Sequence, residues 1–258
     1  MTRYIRIGLV VVSIVWTIVN VLITVITKAP LVNLIALCGL VPLFTVLYQD
    51  IDWMFIKINK VRAWFSQKTV SFTVKHQIIV DNFDDIESLD SKIQTIFKKS
   101  ELVIDETKSP NPSEETMYYQ VINKNKLSFF ISVAASRESD ELTNLILKIE
   151  YQIAYRDVKQ KWEDFLMLQQ KIFNLYSCDV HEKPRFEVWI KTGNTQFNPF
   201  YRLTIRHLTN VRIDNFKLTY SDDNLKVTST LHQIYAKSDS YIAIKKMIDE
   251  YVPLSNVL

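Results

Sequence analysis

Two long apolar stretches at the start of the chain constrain its fold more than any other feature. Residues 7–26 contain no ionisable side chain, and residues 31–48 repeat the pattern. A helix rises about 1.5 Å per residue, so about 20 apolar residues span the hydrocarbon core of a bilayer. Only four residues, 27–30, separate the two stretches. The sequence therefore predicts a transmembrane hairpin of two antiparallel helices over residues 1–50.

The flanking charges predict how such a hairpin would be oriented. Basic residues lie before the first stretch and after the second, whereas only Lys28 lies between them. We therefore expect a multi-pass protein of the bacterial cell membrane with two spans and both termini in the cytoplasm. A cleavable signal peptide is the alternative for the first stretch, but the apolar run is too long and no A-x-A-like site follows it.

The first helix carries polar side chains at spacings of four, three and four residues: Ser13, Thr17, Asn20 and Thr24. These positions share one stripe of a helix. Two interpretations stay open. The stripe could pack against the second helix, or a homo-oligomer formed through the hairpin could line a polar path with it, as in a signal-gated effector that permeabilises membranes. Neither span contains a charge, which argues against a conducting pore.

The remainder of the chain predicts one cytoplasmic α+β domain with an antiparallel sheet. Residues 51–68, rich in aromatic and basic side chains, predict a juxtamembrane amphipathic helix or stalk. Residues 69–258 follow as the domain, with element order β-α-β-β-β-β-α and then β-β-β-β-α. This order suggests tandem β-β-β-β-α halves at 69–177 and 184–258. We expect Asp81 or Asn82 to cap the first helix of the domain.

In element order alone, the domain resembles the saddle of the TATA-binding protein. The resemblance implies an antiparallel sheet that covers layers of helix. It is carried by no residue motif, so it implies nothing specific about function.

Four strands of the second half, predicted at 185–191, 200–208, 211–220 and 225–235, alternate cleanly enough to assign faces. The predicted outward face carries basic and aromatic side chains: Arg185, Trp189, Lys191, Phe200, Arg202, Arg206, Lys217 and Lys226. Glu187 is its only acid. Such a face suits single-stranded nucleic acid or a nucleotide, because cations follow phosphates and rings stack on bases. An ordinary solvated sheet face, anionic lipid headgroups and a docked protein partner are the alternatives.

No catalytic or cofactor signature accompanies this face. With only three glycines, of which two lie in the apolar stretches, the chain cannot form a P-loop or a dinucleotide-binding turn. Its histidines show no spacing typical of metal sites, and His76 and His207 alternate with apolar residues, which predicts satisfied core or edge histidines. The cluster at 178–181 places a thiol near an imidazole without further support. We therefore expect a binding protein with no cofactor and no metal, although dispersed carboxylates leave a metal site open.

Cysteine usage and composition bear on the compartment and the source. Cys38 lies in the second apolar stretch and Cys178 in the domain, so no internal disulfide is expected, which suits a reducing cytoplasm. Abundant Lys, Asn and Ile with few glycines is typical of AT-rich bacterial genomes.

We expect, from these features together, a membrane-anchored cytoplasmic protein that binds an anionic partner, nucleic acid or nucleotide. By architecture alone, such a chain resembles membrane-anchored proteins of phage defence that act by abortive infection. A membrane-permeabilising effector and a membrane-tethered scaffold for a protein partner are the alternative functions.

Overall fold

The computed structural model describes residues 3–27, 57, 58, 61, 65, 69–81, 83, 85–106, 115–138, 142–176, 184–192, 215–222 and 224–251. The chain forms two compact units, Met1–Val61 with Arg206–Thr209, and Arg62–Ile205 with Asn210–Leu258. Four helices occur in the described residues: α1 (Arg3–Thr27), α2 (Ile86–Lys99), α3 (Val158–Phe173) and α4 (Tyr241–Tyr251). Within the predicted stalk, residues 57, 58, 61 and 65 are helical, and the rest of 51–68 lies outside the described residues.

Nine strands in the described residues form one antiparallel sheet. They are β1 (Thr69–Asp81), β2 (Val103–Ile104), β3 (Thr116–Ile122), β4 (Ser128–Arg137), β5 (Leu142–Ala154), β6 (Arg185–Lys191), β7 (Lys217–Asp222), β8 (Leu225–Thr230) and β9 (Gln233–Ser238). Their order across the sheet is β2-β3-β4-β5-β1-β6-β9-β8-β7. The predicted antiparallel α+β fold of this part of the chain is therefore confirmed.

The strand order brings the two halves together at β1 and β6. These first strands of each half pair antiparallel in the middle of the sheet, with Val74 opposite Val188. In each half, the remaining strands follow one another in chain order from the edge of the sheet toward its centre, so the last strand of the half lies beside the first. The described strands of both halves therefore belong to one sheet and follow the same order outward from its centre. The predicted strand at 200–208 lies outside the described residues.

One hydrophobic core lies between the sheet and the helices α2, α3 and α4. Each of these helices contributes fully buried side chains, among them Ile93 from α2, Trp162 from α3 and Ile244 from α4. Alternate residues of β1, such as Phe72 and Val74, meet them from the sheet. Burying one such side chain stabilises the fold by about 1.5–3 kcal/mol. The period of two in the strands and the helical spacing place these side chains on one side of each element. The sheet and the helices therefore pack as layers with those sides facing each other.

Local signals define the helix ends, although the predicted cap was wrong. Asp85, in extended conformation, accepts a hydrogen bond from the Ser88 backbone N–H at 2.5 Å and caps α2. The cap therefore lies several residues beyond Asp81, because β1 continues through that residue. Helix α3 is flanked by the 3-10 turns Tyr155–Asp157 and Asn174–Tyr176.

The prediction of a two-span transmembrane hairpin is contradicted. Crossing a bilayer takes about 20 consecutive apolar residues in one helix. No helix within the described ranges is long and apolar enough for this. The second predicted span, 31–48, lies outside those ranges. The predicted membrane localisation, the orientation, the permeabilising effector and the resemblance to abortive-infection proteins all rested on the hairpin and are withdrawn.

The four residues of the predicted polar stripe lie on α1, and two of their side chains bond to the backbone of the same helix. The Thr17 hydroxyl donates to the Ser13 carbonyl at 2.7 Å, and the Asn20 amide donates to the Trp16 carbonyl at 2.8 Å. Ser13 and Asn20 are buried. Thr24 belongs to the same helix, and its side chain lies outside the described set. Two of the four polar side chains, Thr17 and Asn20, thus bond to backbone carbonyls four residues earlier in α1.

The last predicted strand of the second half, 225–235, is in fact a hairpin. Strands β8 and β9 are joined at Leu231 and His232, and the His232 carbonyl accepts hydrogen bonds from both the backbone N–H and the hydroxyl of Thr192. The turn contains none of the Gly, Pro, Asn or Asp residues that mark most turns. The alternating pattern therefore continued across it without a break. Strand β7 begins at Lys217, and residues 211–214 of its predicted strand are not described.

Candidate nucleic-acid interface

The sheet has a second face, directed away from α2, α3 and α4, which we call the open face. On β6, the alternation places Phe186, Val188 and Ile190 in the core. Arg185, Trp189 and Lys191 consequently lie on the open face, where Arg185 and Lys191 are exposed and Trp189 is half-buried. The face assignment predicted for this strand is confirmed.

Two aromatic side chains meet in the middle of the open face. Trp189 on β6 is directly opposite Tyr235 on β9. Their ring centroids are 5.2 Å apart and their planes are inclined by 34°. Thr73 and Thr228 continue the same row on the neighbouring strands β1 and β8. Trp189 and Tyr235 are both half-buried, so each ring keeps part of its surface exposed, whereas Thr73 is buried.

A row of charged residues runs parallel to the aromatic row. From β5 to β8 its members are Lys148, Lys75, Glu187, Lys237 and Lys226. The Lys75 ammonium is 3.9 Å from the Glu187 carboxylate. Lys148 forms an ion pair with Glu150 of its own strand. The open-face lysines of the first half are thus neutralised by acids of the same face.

The cations of the second half differ in this respect. They are Arg185, Lys191, Lys217, Lys226 and Lys237. None of these five makes an ion pair with a residue in the described part of the chain. The only acid on the open face of these strands, Glu187, has just 13% of its side chain exposed and faces Lys75. Among the described residues, only the strands of the second half present open-face cations without ion pairs, and such a surface attracts anions.

The pKa of Tyr235 responds to the burial and the charges at the centre of this surface. Burial raises the pKa of its phenol, and the nearby Glu187 carboxylate raises it further, whereas Arg185 acts in the opposite direction. The phenol therefore stays protonated at neutral pH, so it can donate a hydrogen bond as well as stack.

Two grooves lie at opposite ends of β6, β9 and β8. The Arg185 groove has a volume of about 550 Å³ and is lined by Pro184, Arg185, Ser221, Asp222, Asn224, Leu225, Lys226, Lys237, Ser238 and Asp239. The Lys191 groove has a volume of about 350 Å³ and is lined by Lys191, Thr192, Asn215, Phe216, Thr230, Leu231, His232 and Gln233. The aromatic pair lies between them, so each end of the surface combines a cation with a depression.

Five of the eight residues predicted for the site share the open face: Arg185, Trp189, Lys191, Lys217 and Lys226. Phe200, Arg202 and Arg206 lie outside the described residues. Sequence reasoning missed Tyr235 because the turn at 231–232 was not recognised, and alternation continued through a single strand at 225–235 places Tyr235 on the core side. It missed Lys237 because this residue lies beyond the end of that predicted strand. It also missed Lys75, although the alternation of β1 was visible, because faces were assigned for the second half alone.

A third cavity, of about 300 Å³, lies on the helix side of the sheet between the end of α2, the β3–β4 turn and α3. Its lysines all have partners. Lys161 is paired with Asp164 at 2.5 Å, Lys171 donates to Ser100 at 2.9 Å, and Lys124 is paired with Glu101. In the described ranges, no cluster of three His, Cys, Asp or Glu side chains could hold a metal ion.

Comparison with known proteins leaves the chain without an assigned family. No protein-family model matches it, and no curated protein matches it. Among solved structures, the S. pombe RNA triphosphatase Pct1 is 8% identical, covering 75% of this chain and 83% of that chain, with a TM-score of 0.11. The same enzyme in complex with the Spt5 CTD gives 11% identity, 74% and 83% coverage, and a TM-score of 0.12. Scores this low support no conclusion about fold or function.

Proposed function

We propose that the open face of the second half of the sheet binds single-stranded nucleic acid and catalyses no reaction. The observation that supports this most directly is the Trp189–Tyr235 pair, with 5.2 Å between ring centroids, on a face whose described cations in the second half make no ion pair with a described acid. A ring pair on a positively charged sheet offers both of the contacts that an unpaired strand needs.

The two contact types would contribute in different ways. Stacking of a base on an aromatic side chain is worth about 1–3 kcal/mol and tolerates any sequence. Lysine and arginine release counterions from the phosphates, which makes the affinity fall steeply with salt. We therefore expect binding with little sequence preference and a strong dependence on ionic strength.

Single strands fit this surface better than duplexes. Bases in a duplex are stacked on one another, so their faces are not available to Trp189 or Tyr235. A duplex could still contact the lysines, but it would lose the stacking contribution. The difference between single-stranded and duplex affinity therefore measures the role of the aromatic pair.

The test is fluorescence anisotropy of labelled single-stranded RNA and DNA, and of a matched duplex, with the full-length protein between about 50 and 200 mM salt. We expect single strands to bind more tightly than the duplex, and Trp189→Ala to weaken single-strand binding at least fivefold. Lys226→Glu should weaken both ligands. The matched control is Lys246→Glu, which reverses an exposed lysine on α4, on the helix side of the sheet.

Two outcomes would overturn the proposal. The first is the absence of binding at low salt in a protein that melts cooperatively, which would direct attention to free nucleotides or a protein partner. The second is equal loss of affinity in Lys246→Glu and Lys226→Glu, since binding would then follow net charge and not this face.

A further inference from the structure

The two grooves lie at opposite strand ends of β6, β9 and β8, and the aromatic pair lies between those ends on the open face. On β6, Arg185 and Lys191 are six residues apart, about 20 Å at 3.3 Å per residue, with Trp189 between them. On the neighbouring β9, Lys237, Tyr235 and Gln233 follow the same line in the opposite chain direction. Each groove thus lies beyond one side of the ring pair.

We call the strip of the open face formed by β9 and β8 the lane, and its described residues include no acid. Its open-face residues are Lys237, Tyr235 and Gln233 on β9, and Lys226, Thr228 and Thr230 on β8. Glu187 lies beside this lane on β6 and is directed at Lys75, 3.9 Å away. A phosphate chain following β9 would therefore meet cations at the Arg185 groove, hydroxyls along β8, and a cation again at the Lys191 groove.

A path across the sheet is less favourable for an anion. It would pass from Lys226 and Lys237 over Glu187 to Lys75 and Lys148, which are already neutralised. The Glu150 carboxylate, two residues from Lys148 on the same strand, lies beside this path. The carboxylates on this path repel a phosphate, and Lys75 and Lys148 attract it less strongly because each is already paired with an acid.

We infer that the bound strand runs along β9, from the Arg185 groove to the Lys191 groove, with phosphates on both sides of a base stacked at Trp189 and Tyr235. This inference rests on the function proposed above and specifies its ligand. The minimal ligand is an oligonucleotide long enough to fill both grooves, and a mononucleotide engages the ring pair and one groove alone.

The acids of the Arg185 groove do not cancel its charge. Asp222 and Asp239 line it together with Arg185, Lys226 and Lys237, which leaves an excess of one positive charge. Both aspartates also make interactions of their own. The Lys191 groove contains Lys191 and no acid among its described lining residues. Both ends of the lane are therefore electropositive.

The experiment compares three charge-neutralising variants of the full-length protein: Lys226→Gln in one groove, Lys191→Gln in the other, and Lys148→Gln on the first half as control. For a homopolymeric single strand of a dozen nucleotides, each groove variant should lower affinity severalfold and reduce the salt slope by about one. Their effects should add in the double variant. Lys148→Gln should change neither quantity.

A length series on the wild-type protein completes the test. Affinity should rise from mononucleotide to short oligonucleotides and level off once both grooves are filled. An equal loss with Lys148→Gln and Lys226→Gln, and none with Lys191→Gln, would show that the strand crosses the sheet; the path would be wrong and the proposed function would stand. If neither the wild-type protein nor any variant bound the strand at low salt, the proposed function itself would fail.

Discussion

The imidazole of His76 lies flat against the ring of Phe186, with 4.0 Å between ring centroids and 3° between planes. Phe173 approaches from α3, with its centroid 4.8 Å away. His76 is only 3% exposed, and neither of its nitrogens has a hydrogen-bond partner among the described residues. The sequence-based expectation of a satisfied core histidine was right about burial and wrong about hydrogen bonding.

This environment predicts an acid-sensitive fold. Burial lowers the pKa of His76 from 6.5 to about 3. Above pH 6.5, His76 is neutral in both folded and unfolded chains and has no effect. Below pH 6.5, the unfolded chain binds a proton that the folded chain does not, so the free energy of unfolding falls, by about 2–3 kcal/mol at pH 4.5.

Urea unfolding of the wild-type protein and of His76→Phe at pH 7.5 and pH 4.5 measures this effect. The variant keeps a ring between Phe173 and Phe186 but cannot take up a proton. It should lose about 2–3 kcal/mol less than the wild type on acidification. Parallel losses in the two proteins would show that other groups cause the acid sensitivity.

Asp85 provides a test of the cap that the structure assigns to α2. Replacing it with alanine leaves the Ser88 backbone N–H without its carboxylate acceptor, so Asp85→Ala should destabilise the protein by about 1 kcal/mol. Ser88→Ala is the control, because the bond uses the backbone of Ser88, and it should cost much less. Chemical denaturation of both variants checks this, and an equal cost would contradict the assigned cap.

The Lys161–Asp164 pair on α3 predicts an asymmetry between its two members. The Lys161 side chain is 11% exposed and Asp164 is 36% exposed, with 2.5 Å between the charged atoms. Asp164→Ala leaves a nearly buried ammonium alone and should cost on the order of 2 kcal/mol. Lys161→Met removes the buried charge and keeps the apolar volume, so it should cost less than half as much. Unfolding free energies in the opposite order would contradict this.

Glu187 is predicted to weaken anion binding by its position beside the ring pair. Glu187→Gln removes the acid that faces Lys75 and therefore leaves another open-face cation unneutralised. Affinity for single strands should rise severalfold at low salt, and the gain should shrink as salt is added. Glu150→Gln, which frees Lys148 on the first half, is the matched control and should change affinity little. Equal gains in both variants would indicate that the strand contacts the whole sheet.

The alternation of apolar and polar side chains along each strand can be recognised in the sequence, and it predicted part of the candidate site. Phe186 and Trp189 fall on opposite sides of β6 because the period of side chains in a strand is two. The same rule could not reveal that Tyr235 is opposite Trp189, since pairing joins residues distant in sequence. Nor could it find the turn at Leu231, which lacks turn-forming residues.

The sequence by itself determined most helices and strands of the described ranges, the side of β6, β7 and β8 that enters the core, and the excess of cations on the opposite side of those strands. These follow from local periodicity, because burial selects one side of every helix and strand. Only the tertiary structure decided that β1 and β6 join the halves in one sheet, that Lys75 and Lys148 are neutralised, and that an aromatic pair separates two cationic grooves. Those features depend on strand order and register, which arise from contacts between distant parts of the chain.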